Sequence, residues 1–284
     1  EDKIVRFSDK PRHQLFLEPE SYDTNSIYLQ GFSTSMPVEI QEKMVHSLPG
    51  LENAKILKYA YAIEYDALDP TQFDTSLMVK KYKGLFIAGQ ICGTSGYEEA
   101  AGLGLMAGIN AGQYVLNKPP FILNRDEAYI GVMIDDLITK GTKEPYRLLS
   151  SRAEYRLLLR HDNADLRLTE YGHQLGLISN ERYKIFLKKK KDISVLEDYL
   201  KNNYFGKTSK VNEYLVELGY EPLENGVSYE EILKRNNVTF TRLKEYMIDY
   251  PNDVNLNSIG EKQISILVKY QGYIQNEKLE AMKA

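Results

Sequence analysis

The 284-residue sequence has one cysteine, no tryptophan and only four histidines. One cysteine cannot form an internal disulfide, so we expect a reducing, cytoplasmic compartment. The histidines are scattered without metal-ligand spacing, which predicts no metal site. No run approaches the roughly 18 apolar residues that a membrane span needs, so we expect no membrane association. A net charge of −4 excludes nucleic-acid coating through overall charge, but leaves room for a local basic patch.

The composition is that of an ordinary globular protein, with 43% hydrophobic and 27% charged residues. A length of 284 residues favours two domains. The sequence opens without methionine inside the pattern Lys3-Ile4-Val5-Arg6 and closes in helix-forming residues without a glycine or proline stop. We therefore expect a piece of a longer protein.

The first part of the chain, residues 1–117, mixes strand and helix patterns. Residues 13–17 and 27–29 have the pattern of short strands. Pro37 and Gly50 bracket a predicted helix. Residues 54–65 are predicted to be extended, and residues 84–88 to form a short buried strand.

Beyond Pro119-Pro120 the pattern becomes helical. Three pairs have capping-box spacing or a close variant: Asn124 with Glu127, Ser151 with Glu154, and Ser228 with Glu231. Predicted helices stop at Gly141, Gly176 and Gly219. The lysine run 188–191 is better explained by a solvated helix face than by nucleic-acid binding. The fold class predicted is α/β followed by all-α, with an α/β region over residues 1–117 and a helical domain over residues 118–284.

A glycine- and alanine-rich stretch, residues 88–111, directly follows the predicted strand. A strand, a tight turn at Gly89-Gln90 and a helix form the unit of doubly wound sheets, in which ligands lie against the helix N-terminus. Gly93 and Gly96 would let the backbone approach a ligand. Within the helix, small residues recur every four positions, at Ala100, Gly104, Gly108 and Gly112. The alternative is close helix–sheet packing without any ligand.

The same stretch also contains a G-x-G-x-x-A pattern at residues 102–107. That pattern binds dinucleotides only directly after a strand, and here it follows a helical segment, so we reject it. Glu98 and Glu99 lie near the predicted turn, where charge complementarity with the helix N-terminus explains them better than catalysis does.

Several long motifs carry a family resemblance. Residues 84–90 resemble the late strand-turn of flavoproteins with two dinucleotide-binding domains. The string A-G-Q-x-x-G-T-x-G-Y-E-E-A-A, followed by A-G-I-N-A, resembles the MnmG or glucose-inhibited division protein A family, the tRNA uridine 5-carboxymethylaminomethyl modification enzymes. Residues 143–147, 151–157 and 162–169 resemble that family's helical-domain motif.

The resemblance implies the C-terminal part of such a flavoprotein plus a helical domain that binds tRNA and a partner protein, with residues 84–116 as the late strand-turn-helix. It implies an FAD-dependent enzyme, acting with the GTPase partner MnmE. Together they would add a carboxymethylaminomethyl group at C5 of the wobble uridine of tRNA. NADH would be the reductant and methylenetetrahydrofolate the one-carbon donor. The resemblance also suggests a homodimer.

Site residues follow from the same motifs. Gln90 corresponds to an FAD-contacting glutamine of the family, and Gly89, Gly93 and Thr94 are expected to line the same pocket. The end of a nicotinamide-dinucleotide segment corresponds to Glu1, Asp2, Lys3, Ile4, Val5, Arg6 and Phe7. Cys92 stands where the family commonly has asparagine, so we expect a packing residue. The family cysteine would lie upstream of Glu1, which leaves the catalytic residues unknown and predicts that this piece alone is inactive.

A basic segment follows the predicted cofactor stretch. Arg152, Arg156 and Arg160 are spaced four apart, which on one helix would point all three the same way. Together with Arg147 they are candidate tRNA-binding residues, because guanidinium groups match phosphate oxygens. Tyr146 or Tyr155 could stack on a base. The structural alternative is that nearby acids neutralise these arginines, namely Glu154, Asp162 and Asp165.

Two other functions remain open at this point. The chain could act only as a tRNA- and partner-binding helical module, with the chemistry elsewhere in a longer protein. It could also belong to an unrelated flavin oxidoreductase, which would have no use for the arginines.

Overall fold

The computed structural model describes the backbone from residue 2 to residue 284, with side chains from Ile4 onward. The chain forms two compact units, which divide between Asp66 and Ala67. The predicted boundary between residues 117 and 118 does not coincide with this division, because the helix that ends at Val115 packs against the helix that follows it.

The described part of the first unit contains two helices and one hairpin. Helix α1 (Asp2–Arg6) precedes strands β1 (Phe16–Pro19) and β2 (Ile27–Gln30), which pair antiparallel, and helix α2 (Val38–His46) follows. Both predicted strands and the predicted helix are confirmed. Of the nicotinamide-dinucleotide segment, Glu1 lies outside the described residues, and Ile4 and Val5 are exposed.

We predicted that residues 54–65 are extended, but they form no strand in the structure. The buried Gln41 side chain of α2 accepts a hydrogen bond from Ala60 N (2.9 Å) and donates one to Ala60 O (2.8 Å). A side chain thus satisfies backbone groups that a neighbouring strand would otherwise pair. The segment lies along α2 as a loop.

The second unit is mostly helical. Its elements, in chain order, are α3 (Tyr97–Val115), α4 (Tyr129–Lys140), α5 (Ala164–Gln174), α6 (Asn180–Asn202), β3 (Tyr204–Phe205), α7 (Val211–Glu217), β4 (Val227–Ser228), α8 (Tyr229–Leu233), α9 (Phe240–Lys244), α10 (Ser258–Lys269) and α11 (Gln271–Lys283). Strands β3 and β4 pair antiparallel. The predicted fold class, mixed α/β with a helical C-terminal part, is confirmed.

Three clusters of buried hydrophobic residues lie in the described part of this unit. One contains Phe73 and Leu77 with the buried faces of α3 and α4. Another is built from α6 to α10 around Leu196, Leu215 and Ile232. A smaller one lies between α4 and the loop that precedes α5. Helices distant in the chain pack together in this unit, since α6 contacts both α8 and α10.

Most of the predicted helix ends are correct. Ser228 Oγ accepts a hydrogen bond from Glu231 N at 3.1 Å, and Gly141, Gly176 and Gly219 follow helix ends with positive φ. Glu127 accepts from Asn124 N, although α4 begins only at Tyr129. The pair Ser151 and Glu154 caps no helix, since only a single 3₁₀ turn forms there.

The lysine run on α6 is bound to acids rather than fully solvated. Its ion pairs are Lys188–Asp192 (2.5 Å), Lys189–Asp165 (2.6 Å) and Lys190–Glu170 (2.9 Å). Three of the four lysines thus have an acidic partner, and Lys191 is exposed, as predicted for a solvated helix face.

The predicted strand at residues 84–88 is reduced to an isolated antiparallel bridge between Met78 and Phe86. Val79 N donates to Leu85 O, and Ile87 N donates to Leu77 O. Every multi-residue strand pairing among the described residues is antiparallel. The described residues therefore form the short extended segment at residues 84–88 and the helix α3 after it, but no parallel sheet around them.

Candidate functional site: a glycine turn joined to an arginine surface

The turn between residues 89 and 96 depends on glycine. Gly89 has φ 91° and Gly93 has φ 94°, a region that other residues rarely adopt. Between them Gln90–Cys92 forms one 3₁₀ turn, and Gly96 then occupies the N-cap of α3 without a side-chain cap. Since the N–H of Glu99 donates to its own carboxylate, the first-turn N–H groups left without a capping side chain are those of Tyr97 and Glu98.

The predicted cofactor residues divide into two groups. Gln90 is exposed, and a Cβ at Gly89 would meet nothing within 4 Å. Thr94 is only 1% exposed, and its hydroxyl donates to Gly89 O at 3.4 Å. A Cβ at Gly93 would lie 2.8 Å from Thr142 Oγ1. Gly89 and Gln90 thus face solvent, whereas Gly93 and Thr94 hold the turn from inside.

The exposed side of this turn fits a flavin. The side chain of Gln90 has donors and an acceptor free to contact a ligand, and α3 offers the N–H groups of Tyr97 and Glu98 to electron-rich atoms. Thr94 does not fit as a direct contact through its side chain, because its hydroxyl is already bonded within the turn.

The small-residue stripe of α3 does not produce close packing within this chain. A Cβ at Gly104, Gly108 or Gly112 would meet nothing within 4 Å, and all three lie on the exposed side. The buried face of α3 consists instead of Leu103, Met106 and their neighbours. Close helix–sheet packing, the alternative to a ligand, is therefore not formed by these glycines within the second unit.

Glu99 joins the start of α3 to the following loop. It is 4% exposed, and Oε1 accepts from Leu148 N at 2.8 Å. Burial raises the pKa of Glu99, but backbone hydrogen bonds from Leu148 and its own N–H, with the charge of Arg147, outweigh burial and lower it. Glu99 therefore stays ionised and holds the Leu148 backbone. No signal in the sequence indicated this partner.

Backbone hydrogen bonds attach the same loop to the glycine turn. Tyr146 N donates to Gly93 O at 2.7 Å, and Ser95 N donates to Tyr146 O at 3.1 Å, which makes a parallel bridge between Thr94 and Tyr146. Arg147 follows Tyr146 directly. The predicted cofactor turn and the first predicted tRNA-binding residue are thus fixed side by side.

The predicted arginine helix does not exist. Residues 150–152 form one 3₁₀ turn, and no α-helix lies between the end of α4 at Lys140 and the start of α5 at Ala164. Leu157 N and Leu158 N donate to the Glu277 carboxylate of α11 (3.0 and 3.1 Å), and Leu158 N is shared with Tyr155 O of a single turn. A distant acid therefore competes with helix formation, and the i, i+4 argument fails here.

Three of the four arginines nevertheless lie exposed in this loop, and we call Arg147, Arg152 and Arg156 the arginine surface. The Arg152 guanidinium lies over the Tyr146 ring at 4.3 Å and its Nε donates to Arg147 O at 2.7 Å. Arg156 Nη2 lies 3.5 Å from Ser150 Oγ. Arg160 differs, because its side chain is 13% exposed and pairs with Asp162 at 3.2 Å.

Tyr146 is unavailable for base stacking. It is buried, its hydroxyl donates to Asp136 Oδ2 at 2.9 Å, and Arg152 covers its ring. Its pKa is raised by burial and by this carboxylate. Tyr155 is half-buried.

Two of the acids that we considered as alternative partners are bound elsewhere, since Glu154 pairs with Arg125 and Asp165 with Lys189. The third, Asp162, pairs with Arg160, so the structural alternative is correct for that arginine. No carboxylate of the described part of the chain lies within 4.0 Å of the arginine surface, although Arg147 is close enough to Glu99 for its charge to lower the pKa of Glu99. Arg152 and Arg156 therefore keep their positive charge for a ligand, and Arg147 shares its charge with Glu99.

Cys92 is fully buried, and burial raises the pKa of its thiol to about 11, as expected of a packing residue. Over residues 4–284, no group of three or more acidic, histidine or cysteine side chains could hold a metal ion. No helix of the described residues is long and apolar enough to cross a membrane.

Comparison with known proteins gives consistent matches. The family profile "Glucose inhibited division protein A" matches residues 1–119, and the profile "tRNA modifying enzyme MnmG/GidA C-terminal helical domain" matches residues 180–278. The chain is 54% identical over 283 residues to "tRNA uridine 5-carboxymethylaminomethyl modification enzyme MnmG" of Listeria welshimeri, covering 100% of this chain and 44% of that protein. The protein of that name from Bacillus subtilis is 53% identical over 291 residues, with 100% and 45% covered.

A solved structure agrees. The chain resembles Aquifex aeolicus GidA in its form II crystal with a TM-score of 0.80 and 44% identity, covering 99% of this chain and 44% of that one. The chain thus spans less than half the length of the relatives it matches.

Proposed function

This chain belongs to the glucose-inhibited division protein A family, and we propose that it is the part of an FAD-dependent tRNA-modifying enzyme in which the flavin turn and a tRNA-binding surface meet. The observation that carries the proposal is the bridge between Thr94 and Tyr146, which joins the glycine turn to the arginine surface. An enzyme that modifies a base beside a flavin needs these two sites next to each other.

Gly89 and Gln90 would contact the flavin, and Gly93 and Thr94 would shape the turn from inside. When bound, FAD supplies the redox chemistry of the reaction. The residues of this chain would orient it, with the Gln90 amide and the N–H groups at the start of α3 donating to its electron-rich atoms.

Arg147, Arg152 and Arg156 would bind phosphates of the tRNA backbone. Guanidinium groups form two parallel hydrogen bonds to phosphate oxygens, and such contacts position a nucleic acid without reading its sequence. Arg160, which is mostly buried and paired with Asp162, would act by holding the loop.

The wider reaction is proposed from the family's name and the motifs of the sequence. The whole enzyme would install a carboxymethylaminomethyl group at C5 of the wobble uridine, together with the GTPase partner MnmE, as a cytoplasmic homodimer. NADH would reduce the flavin, and methylenetetrahydrofolate would donate the one-carbon unit. The segment from Glu1 to Phe7 would end the nicotinamide-dinucleotide site.

The test is binding of this chain to bulk tRNA over a salt series, with a variant in which Arg147, Arg152 and Arg156 are all alanine. Counterion release predicts that three lost phosphate contacts make the slope of log K against log salt shallower by about 2–3. Circular dichroism must show that the variant is folded. Equal affinity and slope for a folded variant would show that the arginine surface does not bind tRNA.

A further inference from the structure

Arg125 lies just before α4 and forms the centre of a charge network beside the arginine surface. Its side chain is 22% exposed. Nε and Nη2 form a fork on the Glu154 carboxylate (3.1 and 2.6 Å). Nη1 donates to Asp136 (2.6 Å) and Asp135 (2.9 Å). One guanidinium thus holds three carboxylates.

Glu154 is the acid closest in sequence to the arginine surface, between Arg152 and Arg156. Its side chain is 50% exposed, so solvent alone would leave it free to turn toward either arginine. Arg125 instead holds both of its oxygens and lowers its pKa through those hydrogen bonds. Arg125 Nη2 also donates to the carbonyl oxygen of Arg152 at 3.1 Å, which fixes the backbone of one arginine of the surface.

We propose that Arg125 is a positioning residue for nucleic-acid binding, which holds Glu154 away from Arg152 and Arg156 so that both guanidinium groups stay available to phosphate. This inference rests on the proposed function of the arginine surface. It assigns to a mostly buried residue a role in tRNA affinity without contact with tRNA. Arg125 acts by neutralising the carboxylate of Glu154.

A purely structural role predicts something different. Arg125 also neutralises the buried Asp136, which receives further hydrogen bonds from Tyr146 and Lys140. If Arg125 served only to keep this network folded, its loss would damage the loop whatever the charge at residue 154. The two roles therefore separate when Glu154 is neutralised in the absence of Arg125.

The experiment measures tRNA affinity and its salt slope for Arg125→Met, Glu154→Gln and the double variant, with folding checked by circular dichroism. In Arg125→Met, Glu154 would be free to pair with Arg152 or Arg156. We therefore expect this variant to bind tRNA about threefold to tenfold more weakly, with a shallower salt slope. The double variant is expected to recover to within about twofold of Glu154→Gln. A matched control is Arg242→Met on α9, which removes an arginine paired with Glu217 and Glu245. It should change affinity by less than about twofold.

Three results would overturn the inference. The double variant could stay as weak as Arg125→Met, which would assign Arg125 to the structure of the loop. Arg242→Met could weaken binding equally, which would reduce the effect to overall charge. If Arg125→Met does not fold, the test rests on Glu154→Gln alone. An acid that Arg125 holds away from the arginines predicts a change in tRNA affinity below about twofold. A gain in affinity above about fivefold would show that Glu154 competes for the arginines, and would overturn the inference.

The triple arginine variant separates this inference from the function on which it rests. If that variant binds tRNA as the native chain does, both fail. If it binds weakly and the Arg125 and Glu154 variants do not follow the expected order, only the role of Arg125 fails.

Discussion

Gly131 in the first turn of α4 gives the sharpest prediction about packing. A Cβ at this position would lie 2.6 Å from Leu123 O and closer still to Asn124 O. Both atoms belong to the backbone and cannot rotate away. Alanine would favour the helix by about 1 kcal/mol. Because two fixed backbone oxygens are in the way, we expect an overpacking cost at the upper end of the usual range, about 2–3 kcal/mol, which exceeds that gain. We expect Gly131→Ala to lower the free energy of unfolding by about 1–2 kcal/mol.

Gly104 in the middle of α3 is the matched control, since a Cβ there would meet nothing within 4 Å. Gly104→Ala should raise the free energy of unfolding by about 0.5–1 kcal/mol through propensity alone. Urea denaturation, monitored by circular dichroism, measures both variants. If Gly131→Ala is as stable as the native chain or more so, the tight contact between α4 and the loop before it is refuted.

Further predictions concern the buried polar groups and caps. Tyr146→Phe removes a hydrogen bond from the buried Asp136 and should cost about 1–2 kcal/mol of unfolding free energy in the same assay. Ser228→Ala removes the N-cap of α8 and should cost about 1 kcal/mol; an unchanged urea midpoint would contradict the cap. Because burial raises the pKa of Cys92 from 9.0 to about 11, the folded state favours the neutral thiol. Its contribution to stability is complete below pH 9 and is lost as the pH rises toward 11, so between pH 9 and pH 11 the melting temperature of the native chain should fall more than that of Cys92→Ala.

Local signals in the sequence predicted local structure well. Strands β1 and β2, the ends of helices at Gly141, Gly176 and Gly219, and the cap at Ser228 depend on residues a few positions apart. Turn chemistry and capping act over such distances, so one sequence suffices to predict them.

Features decided by distant residues were not predictable in this way. Arginine spacing indicated a helix over residues 152–160. However, the N–H groups of Leu157 and Leu158 donate hydrogen bonds to Glu277, which lies more than a hundred positions away in the sequence. The pairing of Arg125 with Glu154 likewise joins residues 29 positions apart. No periodicity within the segment contains that information.

The candidate site was predicted in part. The tight turn predicted at Gly89-Gln90 is present, and Gly89 and Gly93 both have positive φ. The inward direction of Thr94 and the attachment of Glu99 to Leu148 were not predicted, because both depend on the loop at residues 142–148 folding back onto the turn.

The claim that tRNA lies against the arginine surface is tested most directly by photo-crosslinking. Leu149 is exposed between Arg147 and Arg152, and Ile248, exposed beyond α9, serves as the control position. Each would be replaced in turn by a photo-reactive phenylalanine analogue, and crosslinked tRNA nucleotides mapped by mass spectrometry. We predict crosslinks from residue 149 to nucleotides of the anticodon arm and few from residue 248. Absence of crosslinks from residue 149, in a chain that still binds tRNA, would contradict the account.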